Sequence, residues 1–310
     1  MYRYFSREEI MAIDPAKVAD AMAAALAMVS RGAAVAPVRA HIDLGDGAGT
    51  FLISGALTEL DLLSVKVINV RPQNPARGLE RLQGALTVFE SSTGRPLATL
   101  DARAATEART SACSAVSLRL LARDDATVLT IFGTGPQAAA HLRAMTRERE
   151  FSDIRVVGRN REAARALAAQ HPGARPMPAV EAMRGTHVVV TATNSTSALF
   201  PSSAVEPGTH VAMVGSGSAV ASEVEPQLLA RAAVIRVDHR PTCLEESGEI
   251  VGALRIGLID EAAVRELGEV VLGVAPGRTS RDDITIYKSV GNGTQDAALA
   301  ALLLGIGARA

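Results

Sequence analysis

The chain has 310 residues, 48% of them hydrophobic, and its formal net charge at pH 7 is −1. This composition is typical of a soluble protein with ample core, built as one large or two medium domains. The balanced charge and the 3% content of aromatic residues argue against a nucleic-acid partner, which would need a basic surface or stacking platforms.

The sequence also predicts the compartment. No apolar run is long enough to span a bilayer, and the segment MYRYFSREEIMAID carries charges where a signal peptide would have an apolar stretch. The two cysteines, Cys113 and Cys243, do not make a disulfide framework. We therefore expect a cytoplasmic protein with no membrane partner.

The first part of the chain is predicted to combine helices with an antiparallel sheet. A capping-box pattern over Ser6–Glu9 and the pair Asp14-Pro15 mark two helix starts, and Gly45-Asp46-Gly47 marks a hairpin. Asp101 precedes an alanine-rich segment with the pattern of a long helix. The elements predicted here are a short helix after residue 6, a helix over 15–28, strands over 38–44, 50–53, 62–70, 84–90 and 96–100, and a helix over 102–121.

The rest of the chain alternates between strand and helix patterns, with strands predicted over 127–132, 154–157, 187–191, 210–214 and 233–237. Such alternation indicates a parallel, doubly wound sheet with helices on both faces. A short strand over 284–289 and a closing helix over 294–304 follow, and we expect this tail to return to the first part. The predicted fold class is α/β, with a Rossmann domain over 122–287 and a discontinuous α+β domain over 1–121 and 288–310.

A glycine-rich turn follows the first strand of the predicted parallel sheet. It reads Gly133-Thr134-Gly135-Pro136-Gln137-Ala138, a Gly-x-Gly-x-x-Ala pattern between a strand and a helix. The first glycine permits a sharp turn, the second permits close approach of a pyrophosphate, and the small Ala138 lets the helix pack on the strand. The helix N-terminus then offers free N–H groups to the phosphates. These six residues therefore predict a dinucleotide site.

The second strand of this sheet indicates which nicotinamide cofactor is bound. An NAD site usually has Asp or Glu at its end, whereas this chain has Arg159, Asn160 and Arg161. Guanidinium groups suit a 2′-phosphate. The same sequence also fits two solvated arginines at a helix start that bind no cofactor. We expect NADP(H), with NAD(H) possible.

Three cations in the first part, Arg39, Lys66 and Arg109, have apolar or small neighbours. Lysine is rare in this chain, occurring only at positions 17, 66 and 288. A charge in an apolar place needs a partner, either a protein carboxylate or a ligand anion. The spacing alone does not bring the three side chains together, and three unrelated residues fit it equally well.

The whole chain resembles the ornithine cyclodeaminase/μ-crystallin family. The segments that carry the resemblance are Pro37-Val-Arg39, Lys66, Thr106-Glu-Ala-Arg109-Thr-Ser-Ala112, Phe132-Gly-Thr-Gly-Pro-Gln-Ala138, Leu244-Glu-Glu-Ser-Gly248-Glu249, Leu267-Gly-Glu-Val and Asp283-Ile-Thr-Ile-Tyr-Lys-Ser-Val-Gly291. The resemblance implies a Rossmann domain joined to a substrate-binding and dimerisation domain, in a homodimer.

The resemblance also implies roles for individual residues. Arg39, Lys66 and Arg109 would converge on the carboxylate of a small imino or amino acid, with Lys66 and Arg109 as the catalytic pair. Further residues would line the nicotinamide and substrate pocket: Thr193, Asn194, Val214, Ser289 and Gly291.

One departure from the family bears on the reaction. Cyclodeaminases carry an acidic residue after the fourth Rossmann strand, and Gly217 stands there in this chain. Members without that acid include ketimine reductases and pyrroline- or piperideine-2-carboxylate reductases. We therefore expect an NAD(P)H-dependent reductase of cyclic ketimine acids that yields L-proline or L-pipecolate.

Other functions stay open at this point. They are an ornithine or lysine cyclodeaminase with another base, an open-chain amino-acid dehydrogenase or N-alkyl amino-acid synthase, and a crystallin-like small-molecule binder without catalysis. No metal site is expected, because the six histidines show no ligand spacing. Cys243 lies near a helix start, a place that can lower the pKa of a thiol, but nothing else in the sequence argues for reactivity. Cys113 lies on a helix of small residues and is expected in the core.

Overall fold

The computed structural model describes residues 2–215 and 217–307. Its contacts divide the chain into two compact units, Met1–Arg109 with Gly291–Ala310 and Thr110–Val290. We call them the mixed-sheet unit and the parallel-sheet unit. The domain limits predicted from the sequence, 1–121 with 288–310 and 122–287, stay a prediction.

The strands are β1 (Arg3–Phe5), β2 (Ala34–Val35), β3 (Ala40–Asp43), β4 (Gly49–Leu57), β5 (Leu62–Val70), β6 (Leu82–Glu90), β7 (Pro96–Asp101), β8 (Val128–Phe132), β9 (Asp153–Val157), β10 (Ala174–Pro176), β11 (Val188–Thr191), β12 (His210–Met213), β13 (Val234–Val237), β14 (Val264–Glu266) and β15 (Thr285–Lys288). The α-helices are α1 (Arg7–Met11), α2 (Pro15–Ser30), α3 (Ala102–Leu121), α4 (Pro136–Glu148), α5 (Arg161–Ala168), α6 (Ala179–Ala182), α7 (Gln227–Arg231), α8 (Arg240–Glu246), α9 (Gly248–Arg255), α10 (Leu267–Val271) and α11 (Gly293–Leu304).

The mixed-sheet unit contains a sheet in the order β1-β7-β6-β5-β4-β2, with β3 also paired to β4. The predicted antiparallel pairing is confirmed from β2 and β3 through β7, but β1 pairs parallel to β7. The sequence did not indicate β1, because three residues are too short to display a period. The predicted capping box is present, with Ser6 and Glu9 each bonded to the other's backbone N–H.

Helix α11 returns to the mixed sheet, as predicted, and packs on β4 and β5. Two glycines permit the approach: a Cβ on Gly293 would lie 2.2 Å from the carbonyl carbon of Ser54, and one on Gly55 would lie 2.5 Å from the nitrogen of Thr294. Ser64 donates a hydrogen bond of 2.7 Å to the carbonyl oxygen of Gly293. The first turn of α11 is thereby held against the strand that carries Lys66.

The parallel-sheet unit contains strands in the order β10-β9-β8-β11-β12-β15-β13-β14, and neighbouring strands pair parallel. The predicted strands are confirmed, whereas β10 and β14, of three residues each, were missed. Strand β15 lies between β12 and β13, with Lys288 in register with both Met213 and Val237. The segments that follow these three strands therefore meet at one edge of the sheet.

Among the helices of residues 2–215 and 217–307, none combines the length and hydrophobicity that crossing a lipid bilayer requires. The same residues contain no group of three or more His, Cys, Asp or Glu side chains arranged to hold a metal ion.

Candidate active site

A buried cluster of charged side chains occupies the centre of the mixed-sheet unit. Lys66, on β5, has no exposed surface, and its Nζ lies 2.9 Å from Oδ1 and 2.8 Å from Oδ2 of Asp296. The same ammonium donates a hydrogen bond of 3.2 Å to Oγ1 of Thr106. Asp296 lies in the first turn of α11 and is also fully buried. The docking of α11 on β5 therefore creates this ion pair.

Arg109 belongs to the same cluster. Its side chain is 6% exposed, its Nη1 donates to Oε1 of Gln295 at 2.8 Å, and its Nε lies 3.7 Å from Oδ1 of Asp296. Gly291 has φ +81°, and a Cβ there would lie 2.3 Å from Nη1 of Arg109. Gly291 thus leaves the space that the guanidinium occupies, which gives this residue a packing role that the sequence did not indicate.

Arg39 stands at the border of the cluster. It is partly buried, and its guanidinium carbon lies 4.7 Å from the ring centre of Phe51. The positive charge of Arg39 contributes to lowering the pKa of the Lys66 ammonium. The three cations predicted from the sequence are thus close enough to interact, and Asp296 is an addition that sequence reasoning missed.

Burial lowers the pKa of Lys66 from 10.5 to about 8. Asp296 opposes this effect by favouring the charged form, whereas the positive charges of Arg109 and Arg39 add to it. Among the residues that the structure describes, the two buried cations Lys66 and Arg109 contact one shared carboxylate, that of Asp296, which leaves an excess of positive charge in a buried place. Such a place favours a further anion.

In the parallel-sheet unit, the glycine-rich turn has the geometry of a dinucleotide site. Gly133 has φ +123°, and a Cβ there would lie 2.3 Å from the carbonyl oxygen of Ala192. Gly135 precedes α4, and the position of its Cβ is clear of described atoms within 4 Å. Pro136 opens the helix, and Ala138 is fully buried. The open space at Gly135 and the free N–H groups of the first helical turn fit a pyrophosphate.

The remaining residues of the turn have contacts of their own. A Cβ on Gly158 would lie 2.4 Å from Cγ2 of Thr134, so the turn packs closely on the end of β9. The carbonyl oxygen of Gln137 lies 2.7 Å from Nδ1 of His141.

The end of β9 presents two exposed arginines. The side chains of Arg159 and Arg161 make no hydrogen bond or ion pair with other residues of the described chain. Asn160 caps α5, because its Oδ1 accepts from the backbone N–H groups of Glu162 and Ala163 at 2.9 and 3.1 Å. The side-chain oxygen of Asn160 therefore caps the helix. The sequence pattern indicated a cofactor contact for this residue and did not predict the capping role.

The segments after β11, β12 and β15 hold the other predicted cofactor residues. Thr193 donates its hydroxyl to Glu223 at 2.6 Å, and the neighbouring Asn194 is exposed. Val214 donates its N–H to the carbonyl oxygen of Thr191 at 2.9 Å. Ser289 is buried and donates to Oδ2 of Asp238 at 2.8 Å.

Nζ of Lys288, one of the three lysines of the chain, lies 3.0 Å from Oε2 of Glu249, and both side chains are fully buried. This ion pair joins β15 to α9.

Two buried histidines, His141 and His210, have structural partners. His141 contacts Oγ of Ser114 at 3.0 Å, and His210 lies 3.1 Å from Ser117 and 3.0 Å from Thr285. Burial lowers the pKa of His141 to about 4 and that of His210 to about 3, so both rings are neutral near pH 7.

Cys243, near the start of α8, is fully buried. Burial raises the pKa of this thiol well above its ordinary value, and the nearby carboxylate of Asp238 adds to the shift. The helix start at position 240 does not compensate for the missing solvent. Cys113 is buried as predicted.

Both the sequence and the fold of the chain are similar to those of known proteins. The family model described as "Ornithine cyclodeaminase/mu-crystallin family" matches residues 6–304. A relative named Delta(1)-pyrroline-2-carboxylate reductase, from Bacillus cereus, is 32% identical over 295 residues, which cover 93% of this chain and 90% of the relative.

Two solved structures are similar over nearly the whole chain. One is Thermococcus litoralis Delta(1)-pyrroline-2-carboxylate reductase in complex with NADH and L-proline, with a TM-score of 0.91, 28% identity and 99% coverage of both chains. The other is an archaeal alanine dehydrogenase dimer with bound NAD, with a TM-score of 0.90, 28% identity and coverage of 97% of this chain and 95% of that one. With its sequence matched from residue 6 to residue 304, the chain belongs to the ornithine cyclodeaminase/mu-crystallin family.

Proposed function

We propose that the chain is an NAD(P)H-dependent reductase of cyclic ketimine acids, converting Δ1-pyrroline-2-carboxylate or Δ1-piperideine-2-carboxylate to L-proline or L-pipecolate. The observation that carries the proposal is the buried cluster of Lys66, Arg109 and Asp296, with its excess of positive charge. The names of the Bacillus relative and of the Thermococcus structure support the same substrate class.

The carboxylate of the imino acid is the anion that the cluster would take. Arg109 is the residue best suited to hold it, because a guanidinium fork matches a carboxylate with two parallel hydrogen bonds. Gln295 and Gly291 fix that fork on two sides. Arg39 adds a second, partly buried guanidinium near Lys66.

Reduction of a C=N bond places a hydride on carbon and a proton on nitrogen. A nicotinamide cofactor held by the glycine-rich turn would supply the hydride, and we assign the proton to Nζ of Lys66. With a pKa of about 8, this ammonium is largely protonated at pH 7 and is a stronger acid than an ordinary lysine. Asp296 and Thr106 hold it in place.

A cyclodeaminase reaction is less well supported. It would need a base for the substrate amino group, and Gly217 replaces the acid that the family uses there. Glu223, six residues further on, is fully buried, and its two oxygens accept four hydrogen bonds from protein donors. An open-chain amino-acid dehydrogenase is the second candidate, favoured by the similarity to alanine dehydrogenase.

The purified protein is expected to oxidise NADPH or NADH when Δ1-pyrroline-2-carboxylate is added, with L-proline as product, measured by the fall in absorbance at the nicotinamide band. Pyruvate with ammonia tests the open-chain alternative in the same assay. Ornithine with NAD is expected to release no ammonia. Ammonia release from ornithine without reduction of the cyclic imine would contradict the proposal.

Replacement of Asp296 by Asn is expected to change the pH dependence of kcat/KM. In the wild type, Lys66 must be protonated, so activity falls as the pH rises through about 8. Asp296 raises the pKa of Lys66, while Arg109 and Arg39 lower it, so loss of the carboxylate moves this basic limb to lower pH. A limb at unchanged pH in the Asp296→Asn enzyme would exclude Lys66 as the proton donor.

We propose that NADP(H) is preferred, with NAD(H) usable, because Arg159 and Arg161 are exposed after β9 and the three residues that directly follow this strand, Gly158, Arg159 and Asn160, are not acidic. Arg159→Ala is expected to raise the KM for NADPH about tenfold, since a hydrogen bond to a charged group contributes about 1.5–3 kcal/mol. The KM for NADH should not change. Arg165→Ala, an exposed arginine further along α5, is the matched control. Equal effects on both cofactors would contradict the assignment.

We also propose a homodimer formed through the mixed sheet. In the register of β3, β4 and β5, Ile42, Leu52 and Val65 lie on the face opposite to Lys66, and they are 48%, 40% and 37% exposed. A second copy of the chain would cover this apolar face. Sedimentation is expected to give twice the 32.2 kDa chain mass. A monomer mass that does not change with concentration would contradict the dimer.

The protein is further proposed to act in the cytoplasm. Both cysteines are free, which fits a reducing compartment.

A further inference from the structure

Glu223 is a fully buried carboxylate that the proposed chemistry does not use. Its Oε1 accepts hydrogen bonds from the N–H of Thr193 at 2.7 Å and from the hydroxyl of Thr193 at 2.6 Å. Its Oε2 accepts from the hydroxyl of Thr191 at 2.7 Å and from the N–H of Gly215 at 2.9 Å. Both oxygens therefore act as acceptors, each for one backbone amide and one threonine hydroxyl.

These bonds join the ends of two neighbouring strands. Thr191 ends β11 and lies opposite Met213, the last residue of β12, so Thr193 and Gly215 both belong to the loops that follow. Gly215 is packed against the carboxylate: a Cβ there would lie 2.4 Å from Oε1 of Glu223 and 2.4 Å from the carbonyl oxygen of Thr193. The carboxylate fills the gap between the loops and sets their separation.

The backbone of Glu223 is fixed as well. Its N–H donates to Oε1 of Glu249 at 3.1 Å, and the other oxygen of Glu249 is 3.0 Å from Nζ of Lys288. Ser247 donates a further bond of 3.0 Å to the same Glu249 oxygen. The buried carboxylate of Glu249 is thus paired with the ammonium of Lys288, whereas the four donors to Glu223 are neutral. Lys288 therefore balances the charge of Glu249.

The order of the strands indicates which part of a ligand these loops face. Ligands of open parallel sheets bind outside the carboxyl ends of the strands. The glycine-rich turn follows β8, which lies between β9 and β11. A dinucleotide whose pyrophosphate binds at that turn would extend one half toward β9, with its exposed arginines, and the other half toward β11 and β12.

We propose that Glu223 is a positioning residue for the nicotinamide half of the dinucleotide. By holding Thr193 and Gly215 at a fixed separation, its carboxylate shapes the loops that receive the nicotinamide ring and its ribose. The inference rests on the proposed function for the identity of the cofactor, and it adds a determinant that acts on one half of that cofactor only.

Glu223→Gln tests the proposal. The glutamine amide has one carbonyl oxygen, so its NH2 group faces the backbone N–H of either Thr193 or Gly215, and two donors then oppose each other. The dissociation constants of NADPH and NADH are measured by fluorescence titration, and those of 2′-phospho-ADP-ribose and ADP-ribose, which lack the nicotinamide, by their displacement of the fluorescent dinucleotide. We expect the variant to bind the preferred dinucleotide at least about tenfold more weakly and the matching truncated ligand within about twofold of wild type.

Two further variants keep the test decisive. Glu225→Gln is the matched control, because Glu225 also accepts a backbone hydrogen bond, from Ser202 at 2.7 Å, and it should bind all four ligands like wild type. Thr191→Val removes one of the four bonds to Glu223 with little change of shape, and it should give the same selective loss, about threefold. The Thr191→Val variant tests the proposal if the Glu223→Gln protein does not fold.

The outcomes separate this inference from the proposed function. Equal weakening of dinucleotide and truncated ligand, or no weakening of either, would overturn the role of Glu223. A wild-type protein that binds NADPH or NADH but does not reduce the cyclic imine would contradict the proposed reaction alone, because the test reads binding rather than turnover.

Discussion

The mixed-sheet unit depends on the buried ion pair between Lys66 and Asp296. Two charges removed from water are costly, and they are tolerated only when they are paired and further hydrogen-bonded. Here the pair is contacted by Thr106 and lies beside Arg109. Loss of one partner of such a pair typically costs about 3–5 kcal/mol. The glycine contacts of α11 with β4 are therefore a condition for the cluster as well as for the packing of the helix.

The same arrangement explains how a positive site can exist inside a protein. Asp296 neutralises part of the charge of Lys66 and Arg109, which stabilises the folded cluster, and the remaining positive charge suits the ligand carboxylate that we propose. Buried charges are also balanced in the parallel-sheet unit. Glu249 balances Lys288, and Glu223 is held by hydroxyl and backbone donors, so buried charges fix the loops that follow the strands.

Local signals explain what could be predicted from the sequence. Strand β5 was predicted with its observed limits because its alternating pattern is long, and the glycine-rich turn because only glycine permits its backbone and its open space. Strands of three residues gave no pattern. Asp296 and Glu223 were missed as site residues because their partners are distant in the chain, 230 residues for Lys66 and 30 for Thr193. The one available signal was a Gln295-Asp296 pair in an otherwise Ala/Leu-rich helix.

The central claim is that the buried cations bind the carboxylate of a cyclic amino acid. It is tested most directly by the equilibrium binding of L-proline and of L-prolinamide, its uncharged analogue at that position, to the protein saturated with oxidised cofactor. The account predicts that L-proline binds at least about tenfold more tightly than the amide, as expected for a charge-assisted contact, and that Arg109→Met abolishes the difference. Equal binding of the two ligands to the unaltered protein would contradict it.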